Sequence, residues 1–221
     1  MRLHPIAAVI VLGMIPASAM GQAAKTAAAS LENHNLIKNG TAEVPTDDSK
    51  KVPAWGQHDG LTEVEYGSAA SEWDWGLSGC GTCGQRYLRL AFEGDTHELS
   101  VSQTVDVAAL AIEIDKKTVT ATVSAYLGGF KDSDTTGQVV ASFQDASGSE
   151  LGKIETPPYD TKQLPKREKG STGLTPCQAS GSVSAGTRKI AYTWKANSTG
   201  TSGDYLGLGD NLSLVLAAAQ R

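Results

Sequence analysis

Thr118-Val119-Thr120-Ala121-Thr122-Val123-Ser124-Ala125-Tyr126-Leu127 alternates without a break. Val119, Ala121, Val123, Ala125 and Leu127 share one face; Thr118, Thr120, Thr122, Ser124 and Tyr126 share the other. A period of two with one apolar and one polar side predicts a half-buried β-strand. The polar side is also a candidate ligand face. It lacks a row of aromatic rings, so the residues favour an ordinary solvated face.

The same period extends in both directions. A turn-rich stretch at 128–134 leads to a strand at 137–143, and Asp145-Ala146-Ser147-Gly148 predicts a hairpin turn before a strand near 150–156. Lys131-Asp132-Ser133-Asp134 starts like a calcium loop, but the later Gly and Glu are not at the required spacing, which leaves a polar hairpin end. Residues 189–195 alternate with Ile190, Tyr192 and Trp194 on one side, and 211–216 form a last short strand. Earlier strands are expected at 55–66, 87–92 and 98–105, and one or two helical turns at 108–115. Trp55 and Trp194 sit in strand patterns and are expected in the core. The stretch 157–171, with Lys162, Lys166, Arg167 and Lys169, is expected to be an exposed basic loop. Short strands separated by Gly-rich turns point to an all-β sandwich.

Composition sets the outer bounds. A chain of 221 residues, 40% hydrophobic, is long enough for one large domain with its own core. A net charge of −5 speaks against nucleic acid as a partner, because such binders cluster basic residues. Arg2, an apolar run from Ile6 to Ile15, Pro16 and then Ala17-Ser18-Ala19 match a secretory signal peptide over residues 1–19. The run is too short to span a bilayer, so no membrane insertion is expected, and the protein is expected to be secreted to the periplasm or the extracellular space. Residues 20–34 then form a flexible leader, 35–216 the β-sandwich domain and 217–221 a C-terminal tail.

Three cysteines remain after such processing. Cys80 and Cys83 can close on each other, or one of them can reach Cys177; either way one thiol is left over.

Several motifs occur in a telling order. Asn35-Leu36-Ile37-Lys38-Asn39-Gly40-Thr41-Ala42-Glu43 opens the domain and Pro53-Ala54-Trp55 follows. Gly84-Gln85-Arg86-Tyr87-Leu88-Arg89-Leu90 and Leu99-Ser100-Val101-Ser102-Gln103-Thr104-Val105 come next, and Asp210-Asn211-Leu212-Ser213-Leu214 closes it. This series resembles the galactose-binding-like jelly roll, and is similar to carbohydrate-binding modules of extracellular bacterial glycanases. The resemblance covers residues 35–216. It implies a jelly-roll β-sandwich and one structural Ca²⁺ where the chain ends meet. The ligands it implies are Glu43 and Asp210, with backbone carbonyls near Gly40 and Gln85. Calcium takes six to eight oxygens, and the loop 76–86 offers no carboxylate, so the expected site is weak.

Glu72-Trp73-Asp74-Trp75 is the candidate ligand loop. An indole face stacks on the C–H face of a sugar ring, and a neighbouring carboxylate accepts its hydroxyl protons. Trp73 or Trp75 with Asp74 or Glu72 supplies both parts; the competing reading is that one Trp plugs the sandwich end. The sequence holds no His-Glu-x-x-His motif and no Gly-x-Ser-x-Gly elbow, and no carboxylate pair stands out. The expectation is therefore a secreted, non-catalytic carbohydrate-binding protein. An adhesion or structural protein that binds a surface protein through the same sandwich is the alternative, and a polysaccharide-active hydrolase or lyase is the second.

Overall fold

The computed structural model describes residues 34–46, 51–55, 60–67, 80–91, 98–129, 135–160, 173–198 and 206–219. The expected signal peptide, nearly all of the leader, and Glu72, Trp73, Asp74 and Trp75 lie outside them, as does 131–134.

Two antiparallel sheets face each other. In chain order the strands are β1 (Leu61–Glu65), β2 (Arg86–Ala91), β3 (Glu98–Asp106), β4 (Val119–Gly129), β5 (Thr135–Gln144), β6 (Glu150–Glu155), β7 (Tyr159–Asp160), β8 (Gly173–Ser182), β9 (Lys189–Ser198) and β10 (Leu206–Ala218). A 3₁₀ turn (Ala108–Leu110) and the short helix α1 (Ala111–Asp115) connect β3 to β4. One sheet has the order β1-β2-β10-β4-β8; the other runs β3-β9-β5-β6, with the short β7 beside β5. This is the β-sandwich that the alternation predicts, in the jelly-roll form that the resemblance implies.

The core lies between the sheets, as strand alternation demands. Val119, Ala121, Val123, Ala125 and Leu127 of β4 are buried against Ile190, Tyr192 and Trp194 of β9 and Phe143 of β5. Trp55 is buried too; its indole N–H donates to the carbonyl of Asn39, and its ring lies 6.4 Å from that of Tyr192. Buried Tyr192 donates its hydroxyl to the carbonyl of Ser124, and desolvation holds its pKa well above 10.

The chain ends meet along β10. Beyond Gly209 strand β2 no longer pairs with β10, and the opening segment occupies that edge. Leu36 N–H donates to the carbonyl of Leu214, and Leu212 N–H to that of Gly40. The Asn35 amide donates to Leu212 O and accepts from Leu214 N–H, so it substitutes for a strand residue.

Two elements escaped the sequence reading. Strand β8 was not foreseen: Pro176 breaks its pattern and, apart from Leu174, it holds only small or polar side chains. It is an edge strand, where a proline with no N–H is tolerated. Strand β7 falls in the expected basic loop. Strand β10 is also longer than the expected 211–216, starting at Leu206 and ending at Ala218 inside the stretch expected as a tail.

Candidate functional site

A β-bulge in β10 shapes this end of the molecule. Asp210 pairs with Tyr126 and Ser213 with Ser124, so one extra residue is inserted, and Asn211 takes a left-handed φ of 48°. An inserted residue reverses the face of everything beyond it. Leu212, Leu214 and Leu216 point into the core, while Leu208 packs on the opposite side with Val64 and Tyr87.

Asp210 therefore leaves the core face but stays buried. Its Oδ2 accepts a 2.7 Å hydrogen bond from the Tyr66 hydroxyl, and its Oδ1 accepts from Asn211 N–H. Tyr66 in turn lies against Tyr87, with ring centroids 4.8 Å apart. Burial pushes the Asp210 carboxyl up to about 6, and the charge of Glu43 adds to the rise.

The expected calcium ligands thus come together, but with partners already in place. Glu43 Oε1 accepts the N–H groups of Gln85 and Arg86. The carbonyl of Gln85 accepts from Tyr66 N–H and that of Gly40 from Leu212 N–H. Each of these oxygens already accepts at least one hydrogen bond from the protein, which leaves fewer lone pairs for an ion. No group of three or more His, Cys, Asp or Glu that could hold a metal occurs among the described residues. Two carboxylates and two carbonyls that already accept protein hydrogen bonds fall short by themselves of the six to eight oxygens calcium takes.

Next to this cluster, over β4, β8 and β10, runs an open groove of about 550 Å³. That volume falls within the range of small-molecule sites, roughly 300–1,000 Å³. Register explains its floor: Ser124 lies between Gln178 and Ser213, and Tyr126 between Pro176 and Asp210. The rim comes from elsewhere in the chain, with Asn35 and Thr41 from the opening segment and Thr82 from the loop before β2. Among the described residues the lining side chains are hydroxyls, amides, a thiol, one tyrosine ring and small apolar groups, with no charged residue. The Tyr126 hydroxyl and the Gln178 amide, both in the lining, can donate to and accept from a ligand.

The Cys80–Cys83 disulfide stands at the rim, and Cys177 is the free thiol. Asn211 ties this loop to the bulge: its Nδ2 lies 3.3 Å from both Thr82 O and Thr82 Oγ1 and 3.4 Å from Cys80 Sγ. Cys177 turns inward instead; its thiol donates to Ala125 O, and burial raises its pKa.

Of the expected polar face, Ser124 and Tyr126 lie in the groove; this face is less open than a plain solvated surface. Asn35, Thr82, Gln178, Asn211 and Ser213 were not foreseen as a set. They come from distant segments, and no local pattern joins them.

No protein-family model matches the chain, and no curated protein matches it. Solved structures do share its fold. One is the apo form of a cyclase from Fischerella sp., with a TM-score of 0.53 and 13% identity, covering 85% of this chain and 97% of that one. Another is a family 16 carbohydrate-binding module, with a TM-score of 0.49 and 16% identity, covering 82% and 99%. A third is the enzymatically active domain of tailspike protein 4 from bacteriophage CBA120, with a TM-score of 0.48 and 13% identity; there this chain covers 21% of the other's length. The chain is an all-β jelly roll whose fold neighbours include carbohydrate-binding modules. A fold by itself does not fix function, so function rests on the site.

Proposed function

We propose that this is an exported, non-catalytic carbohydrate-binding protein that holds a neutral glycan in the groove over β4, β8 and β10. The observation that carries the reading is the lining itself. Hydroxyls and amides pair with sugar hydroxyls in both donor and acceptor roles, and the Tyr126 ring offers an apolar face for a pyranose C–H face. The uncharged lining among the described residues suits a neutral ligand. Acid–base glycoside hydrolysis needs two carboxylates across the scissile bond, and the described residues of the lining supply hydroxyls and amides suited to binding instead. Export is supported by the signal-like residues 1–19 and by the disulfide, a bond that persists in oxidising compartments.

The test is retention on a panel of neutral and acidic polysaccharides by affinity electrophoresis, with released reducing ends measured in parallel. Retention by a neutral glycan without turnover is expected, with Tyr126→Ala weakening it. Retention by no member of the panel overturns the reading, and turnover overturns its non-catalytic part.

A further inference from the structure

The geometry assigns Asn211 and the Cys80–Cys83 disulfide a joint role: together they position Thr82 as one wall of the groove, so glycan affinity depends on the oxidation state of that disulfide. This rests on the glycan reading of the groove and adds its regulation.

The argument starts from the backbone. The segment from Cys80 to Gly84 contains no strand, and Gly81, Thr82 and Gly84 are exposed. One backbone bond, Cys83 N–H to Cys80 O, and the disulfide close it into a tight turn. Neither hydrophobic cluster includes Cys80 or Cys83. The turn's attachment to the sheet at Asn211 is polar: the single Nδ2 fans across Thr82 O, Thr82 Oγ1, Cys80 Sγ and Cys83 Sγ at 3.3–3.8 Å. The Thr82 hydroxyl also lies 3.7 Å from Cys80 Sγ. One amide can serve these acceptors together only while the sulfurs and the Thr82 peptide are held side by side, and the disulfide does this. The left-handed backbone at the bulge in turn aims Asn211 at the turn.

Reduction by a dithiol takes two electrons. The Sγ–Sγ bond breaks, Cys80 and Cys83 each gain a proton as thiols, and the reductant leaves as its own disulfide. The closed turn then opens, Thr82 leaves its place on the rim, and the wall is lost. The core, built from other residues, stays folded.

Two changes test this on the full exported chain, with the neutral glycan retained in the panel above as the probe. Dithiothreitol reduces the bond, and the Cys80→Ser/Cys83→Ser protein removes it without involving Cys177. Asn211→Gly deletes the amide and keeps the left-handed backbone, which glycine adopts freely. Each change is expected to weaken glycan binding about five- to tenfold, the loss of a few polar contacts, with the protein still folded and melting lowered by only a few degrees. Reduction of Asn211→Gly is expected to add little, because both changes act through one turn. Unchanged affinity in the reduced or the Asn211→Gly protein overturns the assignment, and so do fully multiplicative losses.

Amide hydrogen exchange of the unliganded protein separates this from failure of the glycan reading. Exchange at Thr82 and Cys83 should rise both on reduction and in Asn211→Gly. If it rises in both and no glycan binds, the joint positioning holds while the affinity claim falls with the glycan reading. A rise in only one of them overturns the positioning itself.

Discussion

The Tyr66 hydroxyl donates a 2.7 Å hydrogen bond to Oδ2 of Asp210, a residue 144 positions further along the chain and fully buried. It joins the end of β1 to the bulge in β10. Burial lifts the Asp210 carboxyl from 3.8 to about 6, while the Tyr66 bond pulls it down. The folded protein thus keeps this proton to higher pH than the unfolded chain does. The stability the group contributes is complete below about pH 3.8 and is lost as pH rises through about 6. Urea unfolding between pH 4 and pH 7 should show wild type losing on the order of 3 kcal/mol relative to Asp210→Asn across that window. Tyr66→Phe should move the window upward. Equal slopes in wild type and Asp210→Asn would show that Asp210 is not the titrating group.

Calcium is a separate question with a clean readout. Because Glu43, Asp210, Gly40 and Gln85 already bond to protein donors, neither chelator nor millimolar calcium should move the melting temperature. A bound ion at 100 times its dissociation constant would add about 2.7 kcal/mol, a rise of several degrees. Such a rise, lost in Asp210→Ala, would restore the ion that the family resemblance implies.

Gly40 marks where the opening segment meets β10. A Cβ there would collide with the carbonyl oxygen of Leu212, a backbone atom fixed in the central sheet. Gly40→Ala should cost about 2–4 kcal/mol in denaturant unfolding, by pushing the segment off the strand edge. A loss below about 0.5 kcal/mol would mean that this docking is not tight.

Two glycan contacts are proposed from different grounds, the Tyr126 ring from the groove and the Trp73–Trp75 pair from sequence alone. Tyr126→Ala should weaken retention about tenfold and Tyr126→Phe less, since the ring survives. Trp73→Ala with Trp75→Ala should weaken it further if those rings stack on the same chain of sugars. If the tryptophan changes alone abolish retention and Tyr126→Ala has no effect, the ligand sits away from the groove.

Thiol titration checks the pairing. One thiol per chain should react in denaturant without reductant, and it should react slowly in the folded protein, where burial raises the Cys177 pKa. Three reactive thiols, or a covalent dimer, would contradict the Cys80–Cys83 bond.

Strand identity was legible wherever alternation was strong. Burial in β4 and β9 follows the predicted parity residue by residue, with Trp194 in the core, because side-chain direction in a strand is set by the residue's own position in the pleat. Trp55 is also in the core, but it sits in a turn: the strand expected at 55–66 starts only at Leu61. The resemblance of the opening and closing motifs placed the chain ends together, and the bonds from Asn35 to Leu212 and Leu214 show how they meet.

The sequence by itself thus determined the strongly alternating strands and their apolar faces, and its resemblance placed the two ends together. Tertiary structure alone decided what the far end of the sheet does. Leu206, Leu208, Asp210, Leu212, Leu214 and Leu216 share one parity, and strict alternation would send all of them to the core. The bulge at Asn211 divides them, turning Leu208 and Asp210 outward and leaving Leu212 to Leu216 inward. The two strands must count residues differently for that to happen, so the bulge is a property of the pair β4–β10 and is absent from either strand read alone. The groove has the same origin. Thr82, Ser124, Gln178 and Asn211 lie far apart in the chain and become neighbours only through non-local strand register and one side-chain tether.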